Sequence, residues 1–328
     1  MPFTGGVNQL KSAHTNGKID EYTISLGGNY KEKLMLGVTI GIPTFRYERD
    51  EYYQESLAAG NTAGNPYGFQ SFNYSQSLLL TGNGINAKIG AIYKINDIVR
   101  IGAAFHSPTY YSIHDEYAPG ISTMHNDSVV TYSTGYGGGL VGNSFDYNLT
   151  TPWKGVLSAT VMLNKLGFIT ADYEYVDYSS MRYMYPGGID YSSGNSFQQE
   201  ADAMNQVIKK TYKAASNFRL GGEARVGQFF MARLGFGYYG NAYTPYGQAN
   251  TPVFYTTERI DLSAGVGFHF KHFFSDLGYV HSMYQGYEQP YSIDYSNGSV
   301  ISGAAAVIPT AKTSYYVNNL ALTLGVKF

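Results

Sequence analysis

The sequence has no cysteine, a single tryptophan and little charge. The absence of cysteine excludes a disulfide scaffold and thiolate metal sites. Charged residues make up 14% of the chain, whereas an average soluble domain has about 25%. No run of about eighteen apolar residues occurs, so a transmembrane helix is excluded. The net charge of −2 and the lack of a basic stripe indicate that nucleic acid is not a partner.

Tyrosine and glycine are abundant instead, with 33 and 39 residues. The mean hydropathy is −0.23, which is too low for a helical membrane protein. Lipid-facing and lumen-facing residues alternate in a transmembrane β-barrel, so a moderate average is expected there. A secreted β-sandwich or propeller with many Tyr and Gly residues is the alternative.

The stretch 151–178 shows the alternation most clearly, because side chains of a strand point to opposite faces with period two. One face carries Leu157, Ala159, Val161 and Leu163, and then Ile169, Ala171, Tyr173 and Tyr175 after a polar corner at Asn164 and Lys165. The other face carries Ser158, Thr160 and Met162, and then Thr170, Asp172 and Glu174. The stretch is therefore predicted to form a hairpin with one apolar and one polar face.

The same pattern recurs along the chain and predicts about eleven strands of about ten residues or more, the length that crosses a bilayer. Short corners alternate with long excursions near 50–67, 112–147, 181–213, 241–255 and 286–310. Outer-membrane barrels place short turns in the periplasm and long loops outside. We therefore predict an all-β fold, a transmembrane antiparallel β-barrel of the outer-membrane type, with residues 1–328 as a single domain.

One segment departs from this period. Residues 197–212 place Ala203, Met204, Val207, Ile208 and Tyr212 at helical spacing. We predict a short amphipathic helix in an external loop. It either caps the pore or only packs the loop.

The two ends of the chain carry further signals. The last strand alternates and finishes on Phe328, as outer-membrane barrels do when their C-terminal strand is read by the barrel-assembly machinery, which is therefore an expected partner. No apolar leader follows Met1. With the predicted loop order, an odd number of strands is missing from the even count of bacterial barrels, and the wall is not expected to close alone. We expect the natural N-terminus to lie upstream.

Several segments together resemble the FadL/TodX family of outer-membrane transporters for long-chain fatty acids and other hydrophobic compounds. These are IGAAFHSPTYYSI from Ile101, TPWKGVLSATVML from Thr151, ADYEYVDYSSM from Ala171, and RLGGEAR and ARLGFGYYGNAY from Arg219 onward. The resemblance spans about Ile19 to Phe328. It implies a fourteen-stranded barrel with an N-terminal hatch, of which this chain matches the last eleven strands. The hatch and the kinked early strand have no counterpart here.

Charged residues share the polar parity of neighbouring strands and form the candidate lumen or ligand-binding set. Its members are His106, Asp172, Glu174, Arg219, Glu223, Arg225, Arg233 and Asp261. An Arg or Lys on the lipid face would cost about 2–4 kcal/mol at the bilayer midplane, so these side chains are expected to face the lumen. They form either an internal ion-pair ladder or a path on which Arg groups meet a substrate carboxylate.

No spacing of Ser, His and Asp residues supports a nucleophilic enzyme, and no cofactor or metal site is predicted. Aromatic residues on the lipid parity predict an interfacial girdle, and Tyr-rich loops are either a landing groove for an apolar substrate or loop packing. The predicted function is passive uptake of long-chain fatty acids or similar apolar molecules across the bacterial outer membrane, with membrane lipids and a hydrophobic substrate as partners. A general porin or structural barrel is the second interpretation, and a soluble adhesin is the third.

Overall fold

The computed structural model describes residues 6–58, 68–133, 143–185, 196–250, 255–288 and 311–326. Fifteen strands form one sheet in this part of the chain, and every paired neighbour is antiparallel. The strands are β1 Val7–Tyr30, β2 Leu34–Leu57, β3 Phe69–Lys94, β4 Val99–His106, β5 Tyr110–His125, β6 Ser128–Ser133, β7 Asn143–Thr150, β8 Lys154–Met162, β9 Gly167–Asp177, β10 Arg182–Met184, β11 Ala214–Val226, β12 Phe230–Tyr239, β13 Tyr255–His269, β14 Phe273–Glu288 and β15 Ala311–Val326. The helices are α1 Phe197–Thr211, α2 Pro245–Asn250 and a 3₁₀ turn at Tyr178–Ser180.

The wall has eleven positions, each occupied by one strand or by two strands that follow one another along the chain. β4 continues into β5 after Ser107–Thr109, β7 continues into β8 after Thr151–Trp153, and β9 continues into β10 after the 3₁₀ turn. β6 pairs only with β5 and lies off the wall. The predicted all-β class is confirmed, and the eleven wall positions formed by the fifteen strands agree with the eleven crossings predicted.

At the short corners only a few residues connect the paired strands, so the chain reverses in tight turns. Lys31 and Glu32 both have positive φ, and the amide of Lys33 donates to the carbonyl of Tyr30 over 3.1 Å. Two successive left-handed residues are typical of the type I′ hairpin turn, which follows the twist of the flanking strands. We call this end of the wall the corner end and the opposite end the loop end.

The long excursions differ from the prediction at the loop end. Residues 112–147, expected as a loop, contain most of β5, all of β6 and part of β7, and β2 runs to Leu57 inside the expected loop 50–67. The sequence misled here because these segments do not carry apolar residues on the outward parity. The long β2–β3 hairpin nevertheless offers β5 a strand edge to pair with.

The remaining excursions contain β10 with α1, and α2, while 59–67, 134–142, 186–195, 251–254 and 289–310 lie outside the described residues. The predicted helix is confirmed as α1. Ser196 caps it, since the Ser196 hydroxyl accepts from the amide of Gln199 while the Gln199 side chain accepts from the amide of Ser196. No helix in the described ranges is long and apolar enough to cross a membrane, a finding that concerns helices alone.

The two faces of the sheet differ sharply at the corner end. One face, the apolar face, exposes large aliphatic side chains: Leu26, Leu234 and Leu320 are 74%, 73% and 72% exposed. The opposite face, the polar face, carries the charged residues. An exposed apolar surface of this extent marks contact with a membrane or a partner.

Aromatic rings border the apolar face at both ends. Near the corners, Phe230 lies 5.1 Å from Phe268 between ring centres. Toward the loop end, Trp153 lies 5.9 Å from Phe105 and 5.5 Å from Tyr175. From Phe230 to Tyr238 the strand rises about 27 Å, close to the band of about 25 Å that barrels present to lipid.

Candidate functional site

All eight predicted site residues lie on the polar face. His106 is on β4, Asp172 and Glu174 on β9, Arg219, Glu223 and Arg225 on β11, Arg233 on β12, and Asp261 on β13. The register brings six of them into two clusters, one around Arg219 and one around Arg233. The residues predicted to face the lumen therefore share one face of the sheet. Their role in ligand binding stays a prediction.

Arg219 is loosely held by two carboxylates of the neighbouring strand. Its Nε lies 3.7 Å from Asp172 Oδ2 and its Nη2 lies 3.9 Å from Glu174 Oε2. Glu174 also accepts a 2.8 Å hydrogen bond from the side-chain amide of Asn217. Distances near 4 Å are ion-pair contacts without the short geometry of a charge-assisted hydrogen bond. Arg219 therefore keeps donors for a further acceptor.

Arg259 and Asp261 continue this cluster on β13. The Arg259 Nε lies 3.1 Å from Asp261 Oδ1, and the guanidinium carbon lies 4.0 Å from the centre of the Tyr239 ring. Stacking on an aromatic face fixes a guanidinium in place. The Arg259 guanidinium is thus held by both Asp261 and the Tyr239 ring.

Arg233 is held much more tightly, by two carboxylates. Its Nε donates to Glu223 Oε2 over 2.8 Å and its Nη1 donates to Asp276 Oδ1 over 2.6 Å. His269 Nε2 lies 3.2 Å from the same carboxylate of Asp276. Asp276 is not a member of the predicted set, although it shares the polar parity of β14 with Gly278 and Ser282. This cluster has the character of an ion-pair ladder.

A recess of about 390 Å³ lies between the two clusters. Its floor is made of small residues, and its rims carry Arg219 and Asp261 on one side and Arg233 and Glu223 on the other. The small floor residues are Thr170, Gly221, Gly235 and Ser263. The volume is at the lower end of the range of about 300–1,000 Å³ for small-molecule sites.

His106 and Arg225 lie apart from the recess. His106 stands in register between Lys88 and Lys154. Lys88 Nζ in turn lies 3.0 Å from Glu21 Oε1, and Asn86 donates to the same oxygen over 3.2 Å. Sequence reasoning missed this Glu21 group because Glu21 comes from the first strand, whose partners the pattern alone did not reveal. Arg225 has no ion pair among the described side chains.

Toward the loop end, the polarity of the two faces inverts. Among the residues that point outward, the apolar cross-strand pair of Tyr22 and Ile42 gives way to the charged pair of Lys18 and Arg46. On the inward parity, Phe45 packs edge-on against Tyr111 at 5.4 Å, and Ile113 is 4% exposed. Beyond this level the inner side of the wall therefore holds Phe45, Tyr111 and Ile113 together with the charged pair of Arg49 and Glu51.

Helix α1 packs on that aromatic inner side. Phe197 contacts Phe145 and Tyr185 at 6.3 and 5.9 Å between ring centres. The Asn205 side chain accepts from the Tyr183 amide over 2.7 Å and donates to the Tyr183 carbonyl over 2.9 Å. A helix side chain thus replaces a strand partner at the edge of β10. The helix lies over the inner side of the loop end.

Phenols in this aromatic cluster are held neutral. Burial raises the pKa of Tyr183, and the neighbouring Tyr185 and Tyr147 act in the same direction. Burial likewise raises the pKa of Tyr243 to about 12 beside Tyr212, whose ring centre is 5.1 Å away. The phenols therefore add no charge to the lining at this end, which also contains the ion pair of Arg49 with Glu51. Among the described residues, no group of His, Cys, Asp or Glu side chains could hold a metal ion.

The fold and its two-sided wall define an all-β protein built like the wall of a membrane β-barrel. No protein-family model matches the sequence, and no curated protein matches it. Two of the solved structures that share the fold illustrate the resemblance. One is a Pseudomonas aeruginosa FadL homologue, with a TM-score of 0.59 at 15% identity over 95% of this chain and 67% of that chain. The other is the Ralstonia pickettii toluene transporter TbuX, with a TM-score of 0.56 at 15% identity over 95% of this chain and 68% of that one. The resemblance to the FadL/TodX fold is thereby confirmed at the level of fold.

Proposed function

We propose that the chain forms the wall of an outer-membrane channel for passive uptake of hydrophobic small molecules, with long-chain fatty acids as the candidate substrates. The inversion of face polarity carries this proposal. The band between the aromatic borders is apolar outward, as lipid requires, whereas beyond it the apolar side chains turn inward. A hydrophobic molecule arriving from outside would then meet Phe45, Tyr111 and the rings under α1.

Arg219 gives the candidate path a group suited to a carboxylate. It stands on the rim of the recess, and its ion pairs are long enough to leave donors for another anion. Guanidinium groups bind carboxylates with strong, charge-assisted hydrogen bonds. A fatty acid would place its head there while its chain follows the recess. Arg233 already donates short hydrogen bonds to two carboxylates and would shape the wall. Transport of this kind involves no covalent chemistry, so the protein is proposed not to be an enzyme.

The proposed location is the bacterial outer membrane, with its lipids against the apolar face. The barrel-assembly machinery is the proposed partner for insertion, through the final strand and Phe328, which lies outside the described residues. A general porin is the second candidate, and the observation in its favour is the charge density of the polar face.

The experiment is an uptake assay in a Gram-negative host that lacks its own fatty acid transporter. Cells producing the protein in its natural form are compared with cells carrying an empty vector, using labelled oleate, labelled toluene and a small sugar. The proposal expects uptake of oleate, or of both apolar compounds, above the vector control while the sugar does not enter faster. Free passage of the sugar without gain for the apolar compounds would establish the porin instead.

A further inference from the structure

Positively charged side chains gather at the corner end of the wall. At each of the five corners, the rim of this end consists of the turn and of the two nearest residues of each flanking strand. This basic rim contains only two acidic residues, Glu32 and Asp97, against seven cations, which are Lys31, Lys33, Lys94, Arg100, Lys165, Arg225 and Lys271. The whole chain has 22 Lys and Arg residues against 24 Asp and Glu residues, so the rest of the chain is acidic.

The cations come from all five corners. The corners connect β1 to β2, β3 to β4, β8 to β9, β11 to β12 and β13 to β14. Antiparallel pairing around the wall places them all at the same end. Because the corners are far apart in the sequence, the chain shows no basic stripe when it is read in order. The basic rim is a product of the fold.

The wall itself does not neutralise most of these cations. Lys94 Nζ lies 2.6 Å from Asp97 Oδ1, whereas the other six form no ion pair within the part of the chain that the structure describes. Lys31 Nζ lies over the Tyr30 ring, 5.2 Å from its centre. A contact of this kind with an aromatic face holds the ammonium group without cancelling its charge. The basic rim therefore presents positive charge to the surroundings of the corner end.

Three lysines of the basic rim, here called the turn lysines, lie next to exposed apolar or aromatic side chains. These pairs are Lys31 with Tyr30, Lys165 with Leu166 and Lys271 with Phe270, and the three neighbours are 62%, 69% and 50% exposed. A lysine stem can lie along apolar surface while its ammonium group reaches a polar medium. The turn lysines therefore stand where the apolar face ends.

The outer side of the loop end has the opposite charge. A recess of about 620 Å³ there is lined by Glu48, Asp50 and Glu116. An anionic head group would be repelled by these carboxylates and attracted by the turn lysines. The wall is therefore polarised along its strands, with its outer cations at the corner end.

We propose that the turn lysines Lys31, Lys165 and Lys271 bind the head groups of anionic phospholipids in the leaflet that surrounds the corner end. The inference rests on the proposed membrane location but not on transport. Aromatic side chains mark the head-group level of a membrane protein, so Tyr30 and Phe270 place the neighbouring ammonium groups at the height of the lipid phosphates. Lysines near an anionic leaflet are attracted to it over about one Debye length. The charge of the rim thus selects among lipids, which the apolar face does not.

Two triple variants separate the rim from the total charge of the protein. The corner variant combines Lys31→Gln, Lys165→Gln and Lys271→Gln. The loop-end variant makes the same change in net charge at exposed lysines of the opposite end and combines Lys18→Gln, Lys209→Gln and Lys210→Gln. All six side chains are exposed, so each substitution removes a charge and leaves the packing of the wall unchanged.

The experiment reconstitutes the full chain into phosphatidylcholine vesicles with spin-labelled phosphatidylglycerol or spin-labelled phosphatidylcholine. Resistance to alkaline extraction first establishes insertion, and electron spin resonance then gives the association of each labelled lipid with the protein. One lysine favours an anionic lipid beside it about fivefold, and averaging over the whole perimeter lowers the expected preference for phosphatidylglycerol to about twofold. Molar salt should weaken this preference, because it screens charges beyond about 3 Å. The corner variant should lose the preference and the loop-end variant should keep it.

Equal association of the two lipids with the inserted wild-type protein overturns the proposal, as does a preference that survives in the corner variant. An equal loss in both triple variants would assign the preference to total charge and overturn the role of the rim. Failure to insert at all would instead contradict the membrane location. Insertion with the expected lipid preference but without oleate or toluene uptake in cells would contradict only the transport function.

Discussion

The ion pair between Arg233 and Asp276 passes over the strand that separates them. Arg233 lies on β12 and Asp276 on β14, yet Nη1 and Oδ1 are 2.6 Å apart. The residue of β13 beneath the pair is Gly267, where a Cβ would stand 2.4 Å from the Asp276 oxygen and 3.4 Å from Arg233 Nη1. The missing side chain at position 267 is what allows the pair to form.

Asp276→Ala and Gly267→Val should therefore destabilise the protein in the same way. Each breaks a short charge-assisted hydrogen bond of a partly exposed pair, so we expect a loss of about 1–2 kcal/mol in the free energy of unfolding. Urea unfolding in detergent micelles measures it. Ser275→Ala, next to Asp276 but on the apolar face, should stay within about 0.5 kcal/mol. If Gly267→Val behaves like Ser275→Ala, the pair contributes nothing to stability.

Substitution of Arg219 should have a small effect on stability and a large effect on function. Its two ion pairs are long and its side chain is 37% exposed, so Arg219→Gln should cost less than about 1 kcal/mol of stability. If the recess receives a carboxylate, the same variant should lower oleate uptake about tenfold, the effect of losing one hydrogen bond to a charged group. Toluene uptake is the internal control, since toluene has no carboxylate. An equal fall for both compounds would mean that Arg219 shapes the wall.

The attachment of α1 depends on one amide side chain. Asn205 makes two hydrogen bonds to the backbone of Tyr183, and Asn205→Ala removes both while leaving a backbone N–H of β10 unpaired. We expect trypsin to cut at Lys209 or Lys210 several-fold faster, because local opening becomes less costly by about 1–3 kcal/mol. The exposed neighbour Gln206 provides the control as Gln206→Ala. Unchanged cleavage would show that the ring contacts of Phe197 suffice to hold the helix.

Much of this arrangement follows from sequence parity alone. Period-two alternation places Asp172, Arg219 and Arg233 on one face, because a strand has no other way to orient its side chains. Parity does not report distance between strands. It could not show that Arg233 is bound tightly by Asp276 while Arg219 is loosely held, since that difference depends on the register of β14 and on the missing side chain of Gly267.

The loop end could not be predicted for a different physical reason. Outside the bilayer, a strand is not required to be apolar on its outer side, so β5 and β7 lack the expected pattern and their sequence predicts an excursion. Their inward aromatic residues, such as Phe145 and Tyr147, make contacts with α1 that sequence spacing does not encode. Helix α1 itself was predictable because its period of 3.6 is independent of its surroundings.

The pairing of β5 with β7 should depend on pH through His114. His114 lies on the outward parity of β5, toward the loop end. Its Nδ1 lies 2.7 Å from Asp146 Oδ1, and its Nε2 lies 3.3 Å from Glu116 Oε1. The hydrogen bond to Asp146 raises the pKa of His114 above its usual value, and Glu116 adds to the effect. Because the folded pKa exceeds the unfolded one, the stabilisation is complete below about 6.5 and is lost as the pH rises through the folded pKa.

Hydrogen exchange of the β7 amides, corrected for its intrinsic pH dependence, measures this. Protection should be greater at pH 5.5 than at pH 8.5, by a small factor because the pair is exposed. His114→Gln should remove the difference. A pH dependence that survives in His114→Gln would assign it to another group.

The single tryptophan of the chain provides the most direct test of the membrane boundary. Trp153 lies at the break between β7 and β8, against Phe105 and Tyr175 on the apolar face. If this aromatic border lies at the head-group level, its fluorescence in vesicles should be quenched more by lipids brominated near the carbonyl than by lipids brominated near the chain end. Trp153→Phe supplies the background from tyrosine. Stronger quenching by the deep bromines would move the bilayer toward the loop end, and quenching by neither would place Trp153 in water and remove the apolar face from the membrane.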